Sequence, residues 1–120
     1  MKFVQIHAGS SPVRAIFWAA ALFALVMALL PHPPELPIEP SDKVQHAIAF
    51  TTLGLLGGFS YPRLSTLKLV GGLSFYGALI EVLQAIPMLH RDSDPLDWLT
   101  DTIACTVAVF ALRWWLGRRR

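Results

Sequence analysis

The chain has 120 residues, of which 54% are hydrophobic and only 15% charged. An average soluble domain carries about 25% charged residues, so the composition excludes that class and points to membrane spans. The formal net charge of +2 comes from dispersed basic residues, which argues against a nucleic-acid surface, and a single cysteine, Cys105, rules out an intrachain disulfide.

Four apolar runs follow in chain order. The first covers about residues 13–30; Ser11 is placed to cap it, Pro12 to open it, and Pro31 to stop it. At 1.5 Å per residue it suffices to cross a bilayer. The segment "MALLPHPP" lacks a small-x-small cleavage site, so this run is expected to be an anchor and not a cleaved signal peptide. The link "PHPPELPIEPSDK" has five prolines and is expected to be extended and semi-rigid.

The second run, about 44–60, is the shortest and starts behind Ser41, Asp42 and Lys43. "YPRLS" is a tight turn into the third run, about 66–86, which ends near Pro87. "PMLHRDSDP" leads to the fourth, about 96–116. Short links make antiparallel neighbours, so the expected fold is all-α: one domain, an up-down-up-down bundle of four transmembrane helices. Cys105 lies in an apolar run and reads as a small buried residue.

Orientation follows the basic residues. Lys2, Arg14, Arg63, Lys68, Arg113, Arg118, Arg119 and Arg120 fall on one side, and only Lys43 and Arg91 on the other. The rule that Lys and Arg stay inside puts both termini in the cytoplasm. All eight acidic residues then fall in the outward half: Glu35, Glu39, Asp42, Glu81, Asp92, Asp94, Asp97 and Asp101. Trp98 at the outer ends and Tyr61, Trp114 and Trp115 at the inner ends fit interfacial aromatic belts.

In this arrangement His46, Glu81 and Asp101 reach similar depths, each about 7–9 Å below its helix end. Asp42 and His46, Glu81 and Gln84, and Asp97 and Asp101 are spaced to share helix faces. A lipid-facing carboxylate costs about 2.5–3.5 kcal/mol, so these faces should turn inward and meet, with Lys43, His46 and Arg91 as partners. Plainer roles stand beside this one. Asp94, before Pro95, reads as a helix cap, and Asp97 suits the positive end of the helix dipole. Asp42 reads as interfacial, His90 and Asp92 as solvated, and Lys43 as able to snorkel. Glu81 can also serve as a buried structural hydrogen-bond partner. His46, Glu81, Asp97 and Asp101 include the ligand types of a divalent-ion site, but no HExxH and no Cys/His cluster accompanies them, and neither a metal nor another cofactor is expected. Gly54 and Gly58, and Ala104 and Ala108, are expected to let helices approach closely within the bundle.

The stretches "SDKVQHAIAFTTLG", "GALIEVLQAIP" and an Arg followed by "DWLTDTIA" together resemble the VanZ-like family of small bacterial membrane proteins, over roughly residues 41–108. The resemblance carries over to Asp42, Lys43, His46, Glu81, Gln84, Arg91, Asp97 and Asp101. This chain has Asp101 where the family often has Asn, and Ala104 where it often has Gly. The resemblance implies a cell-envelope setting in a bacterial plasma membrane, and the family name comes from an association with reduced susceptibility to the glycopeptide teicoplanin.

The expected function is an outward-facing polar pocket that binds a membrane lipid or lipid-linked envelope precursor headgroup. Lys43, His46, Glu81, Gln84, Arg91, Asp97 and Asp101 would form the site, with Lys43 and Arg91 meeting phosphate or carboxylate. One alternative is a membrane enzyme with Glu81 as acid or base and His46 or Asp101 as partner. Another is a structural subunit with no ligand. A transport pathway is disfavoured, because the inner halves of the helices carry almost no charge.

Overall fold

The computed structural model describes residues 7–30, 42–89 and 93–118. Four α-helices carry the described chain: α1 (Ser11–Leu29), α2 (Asp42–Ser60), α3 (Thr66–Gln84) and α4 (Pro95–Arg118), with a 3-10 turn at Pro87–Leu89. No strand occurs among the described residues. The all-α expectation therefore holds, with ends differing by a few residues. The cap of α1 is Ser10, not Ser11, and its side chain makes no capping bond. Ser65 does cap α3, accepting from Lys68 N. The proline-rich link, Arg91, His90 and Asp92, and the side chain of Asp42 lie outside the description.

Contacts at the helix ends fix the relative directions. The start of α1 meets the end of α2, where Gly9 N donates to Phe59 O and Arg14 Nε to Ser60 O. At this end Arg113 of α4 also donates to Thr66 Oγ1, at the start of α3, and to Tyr61 O. At the opposite end Lys43 of α2 meets Asp97 of α4, and Gln84 of α3 reaches Ala28 O of α1. Consecutive helices thus alternate in direction, and α2 and α4 run parallel.

The α2–α4 contact is close because α2 presents glycine to small residues. A Cβ placed on Gly54 would lie 2.8 Å from Ala108 Cβ and 3.0 Å from Cys105 O. The small-residue pairs therefore pack within the chain. Cys105 and Val109 are fully buried beside Phe50, Leu53 and Ile80, and Phe17, Ala21, Leu69 and Leu73 complete the core.

Helices α1, α3 and α4 are long and apolar enough to cross a membrane. Helix α2 is not among them, which falls short of the four spans expected. Its 19 residues include Asp42, Lys43, Gln45, His46, two threonines, three glycines and a serine, which dilute its apolar side chains. Large apolar residues remain exposed on every helix, among them Phe23, Ile48, Leu67, Phe75 and Phe110. Such a surface suits hydrocarbon and not water.

Candidate functional site

Three helix ends and the segment before α4 build a polar cluster. His46 sits one turn into α2, Glu81 in the last turn of α3, and Asp97 and Asp101 in the first two turns of α4. Burial rises along the cluster. Lys43 and Asp94 side chains are 48% and 41% exposed, those of His46 and Glu81 are 11% and 9%, and that of Asp101 is 0%. The site therefore has a wet rim and a closed floor.

At the rim, Lys43 Nζ lies 2.7 Å from Asp94 Oδ2 and 3.2 Å from Asp97 Oδ1. Asp94 also caps α4, its Oδ1 accepting from Leu96 N. The Lys43 ammonium, aided by that backbone donor, holds the Asp94 carboxyl below its usual range. Asp94 thus fills the capping role read from sequence, while Lys43 is committed to an ion pair.

At the floor, His46 Nδ1 is 2.7 Å from Asp101 Oδ1. With the carboxylate accepting, Nδ1 carries a proton and Nε2 faces into the cluster. There it stands 3.7 Å from Asp97 Oδ2 and 3.9 Å from Glu81 Oε1, beyond hydrogen-bond reach of both. Glu81 is anchored by its other oxygen: Oε2 accepts from Ser93 Oγ at 3.2 Å and from Asp94 N at 3.0 Å. Glu81 Oε1 and Asp101 Oδ2 are buried without a hydrogen-bond partner. Four carboxylates here meet one lysine and one histidine, so the described cluster carries an excess of negative charge.

Of the sequence candidates, Lys43, His46, Glu81, Asp97 and Asp101 come together. Gln84 does not join them through its amide nitrogen: Nε2 donates to Ala28 O and ties α3 to the end of α1. Two contributors were missed. Ser93 anchors Glu81, and nothing in "RDSDP" singles it out from a solvated loop serine. Gly77 lies beneath Asp101, where a Cβ would fall 2.8 Å from Asp101 Oδ2. Its spacing four residues before Glu81 was an available signal, since both share a face of α3.

An apolar groove of about 540 Å³ runs between α2 and α4, lined by Ala47, Thr51, Leu55, Thr100, Ala104 and Ala111, among others. It starts at the residues next to His46 and Asp101 and extends toward the opposite end of the bundle. Searches against family models, curated proteins and solved structures find no match for this chain.

Proposed function

We propose that the chain is a four-span protein of a bacterial plasma membrane, with both termini cytoplasmic, that binds an amphiphilic envelope lipid or lipid-linked precursor. The polar cluster takes the headgroup at the outer end and the α2–α4 groove takes an acyl or prenyl chain. The observation that carries this reading is that the groove and the cluster lie at the same level of α2 and α4: the groove lining includes Ala47 and Thr100, the sequence neighbours of His46 and Asp101. Three apolar helices support a membrane setting. Helix α2 crosses with them because His46 and Ser60 face the other helices, Lys43 is paired with Asp94 and Asp97, and Thr52 bonds back to Ile48 O, which lowers the cost of placing them in the bilayer. The resemblance to VanZ-like proteins supports the envelope setting and, through that resemblance alone, a link to teicoplanin-type susceptibility.

Native mass spectrometry of the detergent-purified chain tests this reading. The wild type is expected to retain one amphiphile, and Thr51→Phe, which adds bulk at the middle of the groove on an exposed position, to lose it. A wild type free of any retained amphiphile, or Thr51→Phe with the same occupancy, overturns the reading.

The His46–Asp101 pair favours a second reading, a membrane enzyme acting on such a lipid. An imidazole held through Nδ1 by a carboxylate presents Nε2 as a general base, and Glu81 offers an unpaired oxygen beside it. Turnover of a lipid-linked substrate, lost in His46→Gln with binding retained, would distinguish this reading from binding alone.

A further inference from the structure

We propose that the polar cluster holds one divalent transition-metal ion, with His46 Nε2, Glu81 Oε1 and Asp97 Oδ2 as protein ligands and Asp101 as the residue that orients the imidazole. The sequence has no metal motif, and this site comes from three helices, so no local spacing encodes it. The inference deepens the headgroup-binding reading: a cation at the floor would supply the positive charge that an anionic headgroup needs in an otherwise negative site.

Three observations point to a cation. First, His46 Nε2 faces two carboxylate oxygens at 3.7 and 3.9 Å, a gap too wide for direct hydrogen bonds, in which an ion would take the place of a proton on Nε2. Second, Glu81 Oε1 is a buried acceptor with no partner, on a side chain only 9% exposed, and it is one of the two oxygens facing Nε2. A lone buried acceptor is costly, whereas a metal would satisfy it. Third, the imidazole is pre-oriented as in many metal sites, where a ligating histidine gives its other N–H to a carboxylate. One atom each from His46, Glu81 and Asp101 also lies within 4.8 Å of the others, so the carboxylate that orients the imidazole is gathered with Glu81 around the same histidine.

The two distances from His46 fit after a small contraction, with the carboxylates of Glu81 and Asp97 turning toward one another about the ion. Metal–ligand bonds of about 2.0–2.2 Å put neighbouring ligand atoms about 3.0–3.6 Å apart. The observed 3.7 and 3.9 Å need to close by only a few tenths of an ångström. One nitrogen and two carboxylates suit a borderline or hard ion such as Zn²⁺ or Mn²⁺ and give no thiolate for softer ones. Three protein ligands leave coordination positions for water or for a headgroup oxygen. Lys43 opposes the ion: its ammonium sits 3.2 Å from the other oxygen of Asp97. That opposition supplies a test, because removing Lys43 should strengthen binding.

The experiment uses the full chain in detergent, stripped by a chelator, with Mn²⁺ or Zn²⁺ alone as probe. Free Mn²⁺ is read by its electron paramagnetic resonance signal, and Zn²⁺ by equilibrium dialysis. The wild type is expected to bind one equivalent. His46→Gln and Glu81→Gln should lose binding by about 100-fold or more, and Asp101→Asn by about 10–100-fold, the usual effect of removing an outer partner. Lys43→Gln should bind about fivefold more tightly, the size expected for removing a unit charge a few ångströms away in water. Burial of Cys105, read as resistance to a thiol reagent, checks that each variant is folded. No saturable binding of either ion at millimolar concentration overturns the proposal, as does affinity unchanged in His46→Gln and Glu81→Gln. Weaker or unchanged binding in Lys43→Gln also overturns it. Amphiphile retention is scored separately on the same protein, so a chain that keeps its lipid but binds no metal refutes the ion and leaves the lipid reading standing.

Discussion

Gly77 and Asp101 are in direct apposition: a Cβ on Gly77 would lie 2.8 Å from Asp101 Oδ2 and 3.2 Å from Asp101 Cβ. Asp101 is fully buried and already holds His46 through its other oxygen. It therefore has no free direction in which to yield. Gly77→Ala is expected to destabilise the bundle by about 1–3 kcal/mol, the usual range for overpacking, and to disturb the His46–Asp101 bond. Gly72→Ala is the control, because nothing lies within 4 Å of its added Cβ. It should leave stability unchanged or raise it by up to about 1 kcal/mol through helix propensity. Thermal melts of both variants in detergent check the contrast, and equal losses would contradict it.

The α2–α4 seam makes a second graded prediction. At Gly54 the added Cβ meets Cys105 backbone atoms at 3.0 and 3.1 Å as well as Ala108 Cβ. At Gly58 it meets only the side chain of Leu112, at 2.9 Å. Backbone cannot turn aside, whereas a leucine side chain can change rotamer. Gly54→Ala should therefore lower the melting temperature clearly more than Gly58→Ala, with a cost of about 1–3 kcal/mol for the former. The reverse order would mean that α2 and α4 do not pack as described.

Charge neutralisation within the cluster is expected to cost little. Breaking a balanced buried ion pair usually costs about 3–5 kcal/mol. This cluster is over-negative, and the conservative amides keep the observed acceptors: Glu81→Gln for Ser93 Oγ and Asp94 N, and Asp101→Asn for His46 Nδ1. Both variants should purify well and melt within a few degrees of wild type while losing retained ligand. Asp101→Asn should be the milder change. A joint collapse of stability and ligand retention would make the cluster a structural keystone and not a binding site.

Membrane orientation is checked by reporters. One fused after Arg120 should report cytoplasm, and one inserted near Glu39 the outside, from the eight-to-two split of basic residues. A third, in the turn after Ser60, should again report cytoplasm. Matching signals from the second and third sites would show that α2 does not cross, whatever the behaviour of the other helices.

The four helices were legible because proline and polar punctuation bracket each apolar run, and the errors are of at most two residues at their ends. The meeting of His46, Glu81, Asp97 and Asp101 was legible too, since a carboxylate turned to lipid is expensive enough to fix its helix face. Gln84 escaped this logic. An uncharged amide turned away from the cluster costs less, and its rotation toward Ala28 O depends on how α1 and α3 pack. Helix rotation in general is hard to read from a chain whose outer surface is as apolar as its core: Phe75 is exposed and Leu73 buried only two residues away. The anchoring of Glu81 by Ser93 was hidden for another reason, because it depends on where the loop before α4 folds back.

The seam that encloses Cys105 also makes the protein its own stopwatch. The thiol is the chain's single cysteine and its residue has no accessible surface, with the Cys105 backbone packed against Gly54. A reagent can reach it only when the helices packed around α4 part. Its alkylation rate, followed at increasing reagent concentration, thus reports how often the seam opens and, once the rate levels off, how fast. A bound amphiphile in the neighbouring groove should slow that clock without touching the sulfur.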